Sequence, residues 1–171
     1  MRPGSRRSSP SPNVPDADSP SPRNKALDLL ARREHSVAEL RAKLAARHFD
    51  PDQIDQAIDA LIQQDLVSDD RFAESFVVAR IRKGQGPVKI RAELTRRGLA
   101  EELIDRHVGH ADIDWYRLAR TVRDRKFGPS GAVEWRDKAR QGRFLQQRGF
   151  SGEQIRAVLA FDDADDDAAV F

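Results

Sequence analysis

The sequence predicts an all-α protein of three tandem three-helix repeats stacked into an elongated, curved rod. Three observations lead there. Apolar residues recur at helical spacing along the chain, and no stretch shows the two-residue alternation of a half-buried strand. One segment returns three times. Leu40-Arg41-Ala42-Lys43-Leu44-Ala45-Ala46-Arg47-His48-Phe49 precedes Ile54 and Ile58, and fifty residues on Ile90 through Leu99 precedes Ile104 and Val108. Leu145 through Phe150 then precedes Ile155 and Leu159. Finally, 34% of the 171 residues are charged and only 39% hydrophobic, which suits a thin, surface-rich molecule better than a thick-cored one. A single 46-residue bundle buries too little of its surface to be stable alone, so stacked copies are expected to share apolar area.

Taken in order, residues 1–23 hold six of the nine prolines and six serines and read as a disordered leader. The first repeat spans 24–69, the second 70–113 and the third 114–161. Their first helices are expected at Asn24–Arg33, Arg71–Lys83 and Asp114–Lys126. In the first repeat, Val37, Leu40 and Leu44 share a face of the second helix, and Ile54, Ile58, Leu61 and Ile62 share one on the third. Ser36-Val37-Ala38-Glu39 and Ser151-Gly152-Glu153-Gln154 have the capping-box pattern. Asp50-Pro51 and Gly86-Pro87 place a cap before a proline in the first turn. Gly98 and Gly149 fall where a left-handed residue turns the chain between second and third helices, with His48 at that place in the first copy. Residues 162–171, opening Asp162-Asp163-Ala164-Asp165-Asp166-Asp167, read as a solvated acidic tail.

A net charge of +2 conceals a division of labour. Residues 24–69 carry six basic and nine acidic residues, 70–99 eight and three, 100–113 one and four, and 114–161 eleven and five. The basic middle and last third point to a polyanionic or acidic partner. The absence of Cys removes thiolate metal sites, disulfides and thiol nucleophiles, and fits a cytoplasmic protein. No apolar run is long enough to span a bilayer.

The block Asp70-Arg71-Phe72-Ala73, Arg80, Gly84-Gln85-Gly86-Pro87, Ile90, Glu93-Leu94 and Gly98 resembles the central signature of the RecX family, bacterial regulators of the RecA recombinase. Lys138 with Arg143-Phe144-Leu145-Gln146-Gln147-Arg148-Gly149-Phe150 resembles that family's last repeat, and Ser36 through Leu44 its first. The resemblance covers about residues 24–161. It implies binding in the groove of the RecA–single-stranded-DNA filament and inhibition of ATP hydrolysis, strand exchange and co-protease activity. The leader, the tail and the loop Gly128–Val133 lie outside the family pattern.

The candidate contact surface is basic: Arg80, Arg82, Lys83, Lys89, Arg91, Arg96 and Arg97 crowd the Gly84–Pro87 turn of the second copy. In the third, Arg117 and Arg120 form a short stripe, Arg136, Arg140 and Arg143 a longer one, with Lys138 and Arg148 beside it. A helix-turn-helix reader of base edges competes for the same pattern. However, the helix after the first copy's turn carries Asp52, Asp55, Asp59 and Asp65 with no Lys or Arg, which phosphates repel. Gly84-Gln85-Gly86 is no phosphate loop, because no strand precedes it and Pro87 lacks an amide hydrogen. His107 and His110 lack a third metal ligand. Trp115 is expected to anchor the third copy's core, with Tyr116 and Trp135 open between packing and base stacking. The expected function is a monomeric, cofactor-free, non-enzymatic negative modulator of RecA that contacts DNA only weakly. The alternative is a RecA-independent, sequence-tolerant DNA-binding protein.

Overall fold

A computed structural model describes residues 21–110, 112–129 and 134–166. Among the described residues there are nine helices and no strand. Module 1 contains α1 (Pro22–Leu30), α2 (Val37–Ala45) and α3 (Pro51–Gln63). Module 2 contains α4 (Asp69–Arg82), α5 (Pro87–Arg96) and α6 (Glu101–Val108), and module 3 contains α7 (Trp115–Phe127), α8 (Trp135–Arg148) and α9 (Gly152–Asp166).

Local chemistry sets the helix ends. Ser21 Oγ accepts from the Asn24 amide and Pro22 stands in the first turn, so α1 begins inside the stretch expected to be leader. Residues 1–20 lie outside the described residues, as do Ser130–Val133 of the loop that lengthens the third copy. Asp50 Oδ1 caps both the Asp52 and Gln53 amides ahead of α3. The box at Ser151 is complete: its amide donates to Gln154 Oε1 at 2.8 Å, and the Gln154 amide donates to Ser151 Oγ at 3.2 Å. At Ser36 only half forms. The Glu39 amide donates to Ser36 Oγ, but the Glu39 carboxylate meets Arg33, His35 and Arg97 instead. His48, Gly98 and Gly149 adopt φ of 62°, 77° and 88°, the left-handed turns their positions required. At the other end α9 continues to Asp166, so the acidic segment opens as helix rather than as coil.

Each module has a core of its own. Ala26, Leu40, Leu44, Ile54, Ile58, Leu61 and Val67 form the first, Phe72, Ala73, Val77, Ile90, Leu94, Leu99, Ile104 and Val108 the second. Ala119, Val122, Leu145, Phe150 and Val158 form the third. A fully buried Leu or Ile such as Leu40 or Ile58 contributes about 1.5–3 kcal/mol. The expected sharing of apolar area between copies is thus slight, with one exception that corrects the sequence reading. Trp115 opens α7 but packs against the module 2 core and donates its Nε1–H to Val108 O at 3.2 Å.

What joins the modules is a repeated polar latch. The turn between second and third helices of one module sits against the start of the second helix of the module before it. At the first joint, Ser36 Oγ donates to Arg97 O at 2.8 Å, beside Gly98. At the second, the Gly86 and Val88 amides donate to Arg148 O (2.8 Å) and Gly149 O (3.0 Å). The Val37 amide also donates to Asp69 Oδ1 at 2.9 Å, tying α2 to the start of module 2. The modules therefore run in series, held by hydrogen bonds at close backbone contacts.

Candidate basic interface of modules 2 and 3

Two of the predicted cations face inward. Arg80 pairs with Glu93 at 2.8 Å, its side chain only 20% exposed, and lies 4.4 Å above the Phe76 ring. Arg97 covers the same ring at 4.7 Å and stands 3.1 Å from Glu39 across the first joint. Both are engaged within the fold, because a half-buried guanidinium set beside a carboxylate and over an aromatic face has less left for an outside partner. Arg91 is bound by Asp105, and Arg140 by Asp137 at 3.1 Å on its own helix. Arg120 and Lys138 also make interactions within the chain.

The remaining predicted cations are exposed, except Lys89 and Arg148, which are half-buried. Arg82, Lys83, Lys89, Arg96, Arg117, Arg136 and Arg143 form no ion pair among the described residues. Arg136, Arg140 and Arg143 are all exposed along α8. Arg148 donates to Lys83 O at 3.0 Å and lies 5.2 Å over Phe144. These contacts bring the end of α4 to the end of α8 and close a groove of about 260 Å³. Arg82, Lys83, Arg125, Lys126 and Arg148 line it, over a floor of Gly84, Val122 and Phe144. Gly84 suits this junction: at φ 69° a Cβ would stand 2.8 Å from Val122 Cγ2, so a larger residue would strain it.

Arg125 and Lys126 line this groove although the sequence reading did not include them among its candidate cations. They occupy the last turn of α7, three and four positions after Val122, where a helical reading places them on the flank of its apolar stripe. Their meeting with Arg82 and Lys83 depends on the joint, which no local pattern announces.

A second concavity of about 530 Å³ lies beside α4 and α6, with Val77, Val78, Ile81 and Ile113 beneath a rim that includes Glu74 and His107. His107 Nε2 meets Asp70 Oδ1 at 2.9 Å, and that hydrogen bond holds the Asp70 carboxyl below its ordinary value. His110 Nδ1 lies 3.5 Å from Asp112 Oδ2. Among the described residues no group of three or more His, Asp or Glu is placed to hold a metal ion. No helix of them is long and apolar enough to cross a membrane. Tyr116 donates to Glu153 Oε1 at 2.9 Å, whereas Trp135 is 80% exposed and free to stack.

Three-helix modules in series, latched through helix starts and presenting cations along the last two, define a class of helical repeat protein. Models of the first, second and third three-helix domains of RecX match residues 23–61, 68–107 and 112–159 in that order. The chain belongs to the RecX family. It is 46% identical over 145 residues to the regulatory protein RecX of Halorhodospira halophila, covering 85% of this chain and 90% of that one. It is 44% identical over 144 residues to the regulatory protein RecX of Pseudomonas savastanoi pv. phaseolicola, covering 84% and 93%. The crystal structure of RecX from Lactobacillus salivarius shares the fold, with a TM-score of 0.70 over 84% of this chain and 95% of that one at 22% identity. A regulatory role follows for this chain.

Proposed function

We propose that this chain is a negative modulator of the RecA recombinase, binding in the groove of the RecA–single-stranded-DNA filament and lowering its ATP hydrolysis, strand exchange and co-protease activity. Membership of the RecX family supports the partner. The observation that supports the mode of binding is the run of unpaired cations from Arg82 and Lys83 across the second joint to Arg136 and Arg143. A surface of this kind exchanges mobile counterions for fixed phosphates or carboxylates, which drives association and makes it salt-dependent. Modules in series span more than one repeating unit of a polymer. Such a ligand shifts the filament's conformational equilibrium by its differential affinity for one state, and favouring a state unable to cycle slows hydrolysis. Adding the protein to RecA on single-stranded DNA should lower ATP turnover in a saturable manner. Unchanged turnover at saturation removes the proposal.

The groove at the second joint also supports a second reading, sequence-tolerant binding of DNA without RecA. A mobility-shift titration without RecA at physiological salt separates the two. Tight binding there favours the second reading, and weak, steeply salt-sensitive binding the first.

A further inference from the structure

Two hollows of opposite character adjoin the second joint. Arg82 and Lys83 of α4 and Arg125 and Lys126 of α7 line the cationic groove. The same two helices supply Ile81 and Leu118 to an apolar trough. It joins the concavity of about 530 Å³ beside α4 and α6 to a smaller one of about 270 Å³ at the start of α7. Ile81 and Ile113 line both, so the apolar surface continues from module 2 onto module 3. On α4, Glu74, Val77, Val78 and Ile81 recur at i, i+3, i+4 and i+7 and share one helix face. Val77 belongs to the module 2 core, whereas Val78 is 42% exposed and Ile81 and Ile113 are half-buried. A continuous aliphatic strip inside a polar rim marks a contact surface.

The rim says what the strip fits. Asp70, Glu74, Asp112 and Asp114 stand around it against Arg106 and Arg117. His107 and His110, also on the rim, each face one of those carboxylates. Arg106 is matched by Asp70 at 3.3 Å, and Asp114 caps the Arg117 amide. Glu74 is exposed and makes no ion pair among the described residues. The excess of carboxylates repels phosphates and anionic lipid and favours a cationic occupant. Among the described residues there is no strand, so no sheet edge is offered to an extended peptide. From Asp70 to Ile81 the α4 face runs about 16 Å, about three turns of a docked helix. A helix with aliphatic side chains at i, i+3 or i+4, and i+7 matches that length.

We propose that this trough docks the apolar face of a basic amphipathic helix on the protein part of the partner, with a lysine or arginine of that helix meeting Glu74. The inference rests on the reading of the partner as a nucleoprotein filament. A second copy of the chain is a poorer occupant, because the aliphatic faces of its described helices are taken up by their own module cores. The cationic groove then meets the anionic side of the partner and the trough its protein side. Only a nucleoprotein offers both chemistries together, so the two hollows favour a filament over bare DNA and over free protein.

Methyl NMR of the full chain, with ¹³C-labelled Val and Ile, tests the chemistry without RecA. A model amphipathic helix of leucine and lysine should move the Val78, Ile81 and Ile113 methyls and leave Val122 in place. The same peptide with glutamate for lysine should leave all three unmoved at equal concentration. Equal shifts with both peptides, or shifts elsewhere only, overturn the proposal. So do shifts of these methyls that grow with protein concentration alone, since the occupant is then a second copy. Val78→Asn should weaken capture of RecA filaments on oligothymidylate about fivefold or more, and Glu74→Gln about threefold. Both side chains are exposed, so helix content should stay native, and affinity for bare oligothymidylate should stay within about twofold. Undiminished filament capture by both variants overturns the proposal. Capture lost in Val78→Asn, with a parent chain that leaves RecA turnover untouched, would refute the inhibitory reading alone. Inhibition by the parent with capture intact in both variants would refute the trough alone.

Discussion

A Cβ placed on Gly98 would lie 2.5 Å from the Cβ of Ala38 in the preceding module. Gly149 approaches Lys89 still more closely, with Lys89 N at 2.8 Å and Cα at 3.0 Å from such a Cβ. The turn glycines therefore serve two demands, a left-handed backbone and contact with the preceding module. His48 meets only the first, since module 1 is the first of the described modules. Gly98→Ala and Gly149→Ala should each lose about 1–2 kcal/mol from backbone strain, and about 1–3 kcal/mol more from overpacking. His48→Gly should gain about 1 kcal/mol. Urea unfolding of the three variants checks the contrast, and a Gly98→Ala variant as stable as the parent chain would refute the latch.

Charge reversal separates the inward arginines from the outward ones. Arg80→Glu places a second carboxylate beside Glu93 in a site where the pair is mostly buried, and should cost about 3–5 kcal/mol with loss of module 2 helix signal. Arg82→Glu and Arg143→Glu meet solvent, so thermal stability should change by less than about 0.5 kcal/mol. Inhibition of RecA turnover should nevertheless weaken with each. Intact inhibition in an Arg82→Glu, Arg143→Glu double variant would show that the open cations are not the contact surface.

The modules were readable in the sequence because each depends on local signals: apolar spacing along α2 and α3, Ser151 and Gln154 as reciprocal caps, glycine at the turns. The joints were not, because they pair residues about fifty to sixty positions apart through backbone groups. That is why Arg97 seemed as available as Arg96, whereas Arg80 is taken up within module 2 by Glu93 on the next helix, a pairing that spacing along one helix does not reveal. Trp115 misled for a related reason. Its place on the apolar face of α7 says that it is covered, not which module covers it. The α8 stripe needed only helical periodicity and emerged exposed as expected.

Acid should loosen the first joint. His35 is buried at 3% exposure, and desolvation holds its pKa below the ordinary 6.5 despite a hydrogen bond to Glu39. Its neutral Nδ1–H donates to Glu39 Oε2 at 3.1 Å. Burial pushes the Glu39 carboxyl up, but hydrogen bonds from Arg33 and His35 and the charges of Arg33 and Arg97 hold it below 4.5. For both groups the unfolded chain binds protons at a higher pH than the native one, so stability falls as pH falls. The histidine contribution is complete above about 6.5 and is lost towards its lower native pKa. The Glu39 contribution is lost further down, through its own depressed value. Unfolding curves between pH 7.5 and about 3.5 should show two successive losses, and His35→Gln should abolish the upper one while leaving the lower. A wild-type curve flat from pH 7 to about 5 would contradict the buried neutral imidazole.

Trp115 makes a prediction about location as well as size. Its ring is half-buried against the module 2 core, and its indole N–H donates to the Val108 carbonyl at the end of α6. Trp115→Ala should therefore cost about 3 kcal/mol, at the low end for loss of a large aromatic because the ring is only partly covered. The damage belongs to the module that loses the contact. Amide exchange followed by mass spectrometry should quicken in α4–α6, most of all around Ile104 and Val108, while Leu145 and Phe150 in module 3 keep their protection. Trp115→Phe restores the apolar contact without the donor and should recover all but about 1 kcal/mol of the loss. Faster exchange confined to α7–α9 would instead place Trp115 in the core of its own module.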